Sequence, residues 1–240
     1  MAASLRQKLT ILILAIYWPA FFVLTHIPIP ESIRRAHVSD KCLHVLGYMV
    51  LTFLLWYAFK PQRKVRWREA SPWLVVLVVL LYGIADEVIQ GFVGRSCDVR
   101  DLAADMIGAI VGLSVMSFFT FWPAALVVTG CVIFGISNVS KVNLANVIPF
   151  VSSSFHLFAY GALTTIWIRH MQLFDSHNKP RLKSLALALG MPIAFLAFVS
   201  FSSIALGRTV SLRDTMLSLL GIGLAVLVLA IVSMQHKPRI

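Results

Sequence analysis

PWLVVLVVLLYGIADEVIQGF, residues 72–92, is apolar and uncharged until Asp86, Glu87 and Gln90 arrive together near its end. A run of about 20 such residues is what an α-helix needs to cross the hydrocarbon core of a bilayer. Comparable runs stand on both sides of it. Leu9–Leu24, Leu43–Phe59 and Leu102–Phe119 lie in the first half of the chain; Trp122–Ile136, Ser154–Ile168, Leu182–Leu206 and Thr215–Ser233 fill the second. The expected fold is therefore all-α, a polytopic transmembrane helical bundle of about eight spans. Composition agrees: of 240 residues 59% are hydrophobic and 13% charged, about half the charge fraction of a soluble domain. Arg6 and Lys8 precede the first run, but Phe21, Phe22 and Val23 stand where a small-residue cleavage site would follow, so an uncleaved first helix is expected.

The net charge of +11 would suggest a nucleic-acid partner in a soluble protein. Its distribution points to a membrane instead. With eight spans, both termini share a side with the loops after the second, fourth and sixth spans. That side gathers most of the Lys and Arg, including Arg6, Lys8, Lys60, Arg63, Lys64, Arg66 and Arg68. Orientation follows Lys and Arg, so both termini are expected in the cytoplasm, with the chain in the cytoplasmic membrane and no nucleic acid as partner. The three cysteines form an odd set without a small secreted framework, so a Cys42–Cys97 disulfide is not the expectation.

Self-similarity organises the chain further. His44-Val45-Leu46-Gly47-Tyr48 can be laid over His156-Leu157-Phe158-Ala159-Tyr160, and Gly94-Arg95, Arg100-Asp101 and Gly108 over Gly207-Arg208, Arg213-Asp214 and Gly221. The two offsets agree to within one residue. Two motifs recurring in order at one spacing imply two parallel four-helix repeats, 1–120 and 121–240, with an even number of spans in each. Gly108 and Gly112 form a small-x-x-x-small pair suited to close helix packing.

Ionisable groups gather at the expected outer ends of spans two to four. Asp40, His44 and Tyr48 follow at i+4 steps and share one helix face. Carboxylates inside a span cost several kcal/mol unless they pair or meet water, which makes this cluster the candidate site. Each residue also has a plainer role. Asp86 is expected to face outer water, and Asp98 suits a helix N-cap. Asp101 with Arg95 could lock the turn between spans three and four. Tyr48 and Tyr160 could be interfacial anchors, and His44, matched by His156, could be a packing residue. In the repeat register, Asp40, Lys41, Glu87, Gln90, Asp98 and Asp105 are replaced by Ser152, Ser153, Ser200, Ser203, Ser211 and Ser218. Groups that one copy dispenses with are better candidates for function than for frame. The ligand-binding set is thus Asp40, Lys41, His44, Tyr48, Glu87, Gln90, Arg95, Asp101 and Asp105, with Arg95 and Asp101 as supports. His44 is the group whose charge changes most readily near neutral pH.

Asp40-Lys41-x-x-His44-x-x-x-Tyr48, Glu87-x-x-Gln90, Gly94-Arg95 and Asp101-x-x-x-Asp105-x-x-Gly108 resemble the VanZ-like family of bacterial membrane proteins. The likeness is clear over the first half and reduced in the second, and it departs at Asp105, where the family pattern often has Asn. It implies an integral protein of the cytoplasmic membrane, with a link to low-level resistance to the glycopeptide teicoplanin, and it supplies no reaction.

Three functional readings follow. The first is a non-enzymatic site for membrane lipid, a lipid-linked cell-wall precursor or a glycopeptide, with Arg95 and Lys41 holding phosphate or carboxylate groups. The second is an intramembrane hydrolase or transferase acting on a lipid headgroup, in which His44, Glu87, Asp101 and Asp105 could bind a divalent cation or share general acid–base work, with His44, Glu87 and Asp105 as candidate catalytic groups. The third, an ion-coupled transporter, is weakened by the absence of ionisable residues near the middle of most spans. The sequence holds no His-Glu-x-x-His or other known metal signature, so no metal ligand and no cofactor are assigned.

Overall fold

The computed structural model describes residues 4–26, 41–92, 98–139, 149–174 and 182–235. Among these stand eight α-helices: α1 (Leu5–His26), α2 (Lys41–Phe59), α3 (Ala70–Phe92), α4 (Val99–Phe118), α5 (Phe121–Phe134), α6 (Pro149–Met171), α7 (Leu182–Ala205) and α8 (Leu212–Gln235). α5 runs on into a π-helical turn, Gly135–Val139. Helices satisfy every backbone polar group internally, which is the condition for crossing lipid. Seven of the eight are long and apolar enough to do so, the π-helical turn being counted with α5. α6 has the length, but Ser152, Ser153, Ser154, His156, Thr164 and Thr165 dilute its apolar content. The protein is a multi-pass integral membrane protein.

The chain divides into two compact units, Met1–Val128 and Thr129–Ile240. The division falls inside α5 because Phe121, at its start, packs on α2: its ring centroid lies 5.6 Å from that of Phe53 and 4.9 Å from that of Tyr57. In the first unit α2 is the central helix. Tyr48, Met49, Leu51, Trp56 and Tyr57 point in different directions around it and are all at most 2% exposed. α4 lies directly against it. A Cβ on Gly108 would overlap the backbone carbonyl oxygen of Val45, and one on Gly112 would sit 3.2 Å from that of Met49. The glycine pair thus lets two backbones touch, as its spacing suggested. α1 closes another side, with the Phe21 ring over Gly47 and the Tyr17 hydroxyl donating to the Gly47 carbonyl at 2.9 Å. The outward surfaces of α1, α3 and α4 carry exposed Leu12, Ile16, Leu77, Leu81, Ile107 and Val111, the apolar exterior that lipid requires.

One end of this unit is basic and tied down by main-chain carbonyls. Arg6 donates to Pro61 O at 2.7 Å, Lys64 to Phe118 O at 2.7 Å, and the Trp56 indole to Arg63 O at 2.8 Å. The candidate site occupies the other end.

In the second unit α6 packs on α8 through Gly221, whose added Cβ would overlap the Leu157 carbonyl oxygen and lie 3.2 Å from Gly161 N. Gly207 ends the turn after α7 with φ +72, a left-handed conformation that glycine adopts without strain.

Candidate functional site

Four helix ends converge on the site: the C-terminal turns of α1 and α3 and the N-terminal turns of α2 and α4. On α3, Val75, Val79, Gly83, Asp86, Glu87 and Gln90 recur at three- and four-residue steps and form its buried stripe. Gly83 makes room for the site. A Cβ there would meet Leu102 Cδ1 at 2.9 Å, Asp105 Oδ2 at 3.1 Å and the Tyr48 hydroxyl at 3.7 Å.

The centre is a contact between α2 and α4: His44 Nδ1 lies 2.8 Å from Asp105 Oδ1. His44 is 3% exposed and Asp105 fully buried. Tyr48 stands one turn below His44, with ring centroids 6.4 Å apart, and is enclosed by Phe21 and Tyr82. Glu87, 4% exposed, accepts the Asp98 backbone N–H through Oε2 at 2.9 Å. Two carboxylate oxygens in this buried cluster, Glu87 Oε1 and Asp105 Oδ2, have no hydrogen-bond partner among the described residues. Buried acceptors without partners are uncommon and call for a ligand or a role.

Beside this centre lies a second carboxylate. Asp86 accepts from Thr25 Oγ1 at 3.0 Å and from Gln90 Nε2 at 2.8 Å, and His26 Nδ1 stands 3.7 Å away. It does not face outer water, as its place near a helix end suggested. It is fully buried because it shares the inward stripe of α3 with Gln90, one turn on. Thr25 and His26 were absent from the expected set. The signal that could have found Asp86 was its i, i+4 spacing to Gln90, while Thr25 and His26 come from a distant helix and left no local trace. Tyr48 and Tyr160 are likewise not interfacial anchors: both are wholly buried.

Asp98 is the N-cap of α4, its side chain accepting from Arg100 N at 2.9 Å. Lys41 Nζ lies 3.9 Å from Asp98 Oδ2, both side chains 40% exposed, so this pair lends little stability. Asp101 is half-buried in the first turn of α4, where its charge suits the positive end of the helix dipole. Asp40 and Arg95 lie outside the described residues, as do Gly94 and Cys97.

The second unit has polar contacts of its own. His156 Nδ1 lies 3.3 Å from Ser218 Oγ, and His156 Nε2 4.0 Å from Asp214 Oδ2. Ser203 donates to Asn138 Oδ1 at 2.6 Å, and Ser211 Oγ accepts from Asp214 N at 3.4 Å at the start of α8. Ser218 turns its hydroxyl onto its own helix, at 2.8 Å from Asp214 O.

No curated protein and no solved structure matches the chain. The geometry nevertheless draws together the His44, Tyr48, Glu87, Gln90 and Asp105 pattern that the sequence singled out. Residues 9–120 match the family model described as VanZ/LLP1, and the first half of this integral membrane protein is a VanZ-like domain.

Proposed function

We propose that the polar cluster of the first unit faces the outside of the cytoplasmic membrane and binds the headgroup of a lipid-linked cell-envelope component. On this reading both termini are cytoplasmic and the protein bears on glycopeptide susceptibility. The observation that carries it is the pair of buried, unpartnered carboxylate oxygens on Glu87 and Asp105, set among the converging helix ends of the first unit. Sugar hydroxyl and amide N–H groups are donors that such oxygens lack. Lys41, 40% exposed at the rim, offers a cation to a phosphate or carboxylate. The basic Arg6 and Lys60–Arg68 end, held to the cytoplasmic side by the preference of Lys and Arg, supports the orientation.

The second unit reads as a degenerate copy. His156 meets Ser218 where His44 meets Asp105, and Ser203 meets Asn138 where Gln90 and Asp86 meet Thr25. The frame of a half-buried His and a buried Tyr over a glycine contact persists, with serines at the positions of Glu87, Asp98 and Asp105.

A second reading, a hydrolase or transferase on a lipid headgroup, is favoured by the His44–Asp105 contact, since a carboxylate that orients an imidazole is a common arrangement for general-base work. One experiment addresses both readings. Protein extracted with its native lipid would be assayed by mass spectrometry for retained envelope lipids and their breakdown products. Wild type is expected to retain a specific envelope lipid that Lys41→Ala and Glu87→Gln lose, without turnover. If both variants keep the wild-type lipid profile and the same drug susceptibility, the binding reading fails; turnover that Glu87→Gln abolishes would establish the enzyme instead.

A further inference from the structure

His44, Glu87 and Asp105 come from three different helices, α2, α3 and α4, and converge at one buried point. One potential ligand atom from each lies within 4.8 Å of the other two. Three points so spaced fit on a circle of radius about 2.8 Å, and zinc bonds to imidazole nitrogen and carboxylate oxygen run at about 2.0–2.2 Å. An ion among them would thus require each side chain to close by at most about 0.6–0.8 Å, within the reach of small rotamer shifts.

Charge and valence point the same way. Glu87 and Asp105 are at most 4% exposed, and each has one oxygen without a hydrogen-bond partner among the described residues. Two carboxylates at such close range in a membrane bundle are costly as anions unless a positive charge joins them. Neighbouring Asp86 is not part of the set, because both of its oxygens are occupied by Thr25 and Gln90. Glu87 is steadied through its second oxygen by the Asp98 N–H, the kind of outer support that fixes a metal-binding carboxylate. One imidazole and two carboxylates suit a borderline divalent ion such as Zn²⁺ or Mn²⁺, and three protein ligands leave coordination positions open.

We propose that His44, Glu87 and Asp105 form a binding site for one divalent cation of the zinc or manganese class, its remaining coordination positions left to water or to an oxygen of a bound molecule. The site uses the same Glu87 and Asp105 oxygens as the lipid-binding reading, so a headgroup would meet the ion there rather than the bare carboxylates; the binding of the ion itself requires no lipid. The second unit is an internal control: His156 meets Ser218 in the place of Asp105 and has one carboxylate nearby, Asp214 at 4.0 Å, so among the described residues it offers no imidazole with two carboxylates.

The test uses the full chain in detergent, stripped with a chelator, then dialysed against Zn²⁺ or Mn²⁺ alone and analysed for bound metal. The expected result is about one tightly held ion per chain for at least one of the two metals. Affinity should fall at least tenfold in Glu87→Gln and in Asp105→Asn, and stay unchanged in Ser218→Ala. X-ray absorption of the wild-type complex, which needs no variant to fold, should show a single imidazole among oxygen ligands. The proposal is overturned if wild type binds neither ion, if the ion's shell holds no imidazole, or if binding survives both carboxylate substitutions.

Discussion

His44 and Asp105 form a buried pair whose members depend on each other. Each is nearly or wholly buried and they meet at 2.8 Å. Removing one partner takes a buried contact from the other in a dry site, a loss of about 3–5 kcal/mol when the remaining group is charged. His44→Ala should therefore lower the thermal midpoint in detergent markedly, and Asp105→Ala should do the same. The double substitution should cost less than the sum of the two. Additive losses in that cycle would mean that the contact carries no coupling. Asp86 supplies a second residue-level prediction. It accepts from both Thr25 and Gln90, whereas Asn can turn only one acceptor oxygen toward two donors. Asp86→Asn should cost about 1–3 kcal/mol for the buried donor left unmatched. Thr25→Val together with Asp86→Asn should recover part of it, read by the same melting assay.

At the scale of elements, the α2–α4 contact sets the geometry of the site. His44 directly precedes Val45, and Asp105 lies about one turn before Gly108, at the point where Gly108 meets the Val45 carbonyl. A Cβ at that point meets backbone rather than a flexible side chain, so the helices themselves must part. Gly108→Ala is expected to destabilise the unit by about 1–3 kcal/mol, the range for overpacking, and to lengthen the His44–Asp105 contact. Gly223→Ala, with nothing within 4 Å of the added methyl, should be close to neutral and serves as the control. The start of α4 is held separately by Asp98, whose side chain caps it. Asp98→Ala should cost about 1 kcal/mol while Glu87 keeps its backbone N–H contact, since that donor is the main chain of residue 98.

For the whole molecule the informative property is which end faces which side. Val99, 78% exposed, lies at the site end of the first unit, and Lys64 at its basic end. In a cysteine-free background, a membrane-impermeant maleimide applied to intact cells should label Val99→Cys and not Lys64→Cys. Neutralising Lys60, Arg63, Lys64 and Arg66 together should produce a mixed or inverted population, because orientation follows Lys and Arg in short loops. An unchanged labelling pattern would show that another part of the chain sets the topology.

Much of this protein is written along the chain itself. Long apolar runs such as Pro72–Phe92 determine helices that span a membrane, because lipid offers the backbone no other partner. Repetition of His-x-x-x-Tyr and Arg-Asp singled out the residues of interest, and Asp98 was legible as a cap from its position. What the chain could not reveal is which of two adjacent acids turns inward, or what meets it there. Asp86 and Glu87 both proved buried, one satisfied by Thr25 from a distant helix and the other left with an open oxygen beside His44 and Asp105. Periodicity ranks the faces of one helix, but a polar group's partners are set by how helices dock. Here the glycine contact between α2 and α4 decided that an imidazole and two carboxylates from three helices would share one point.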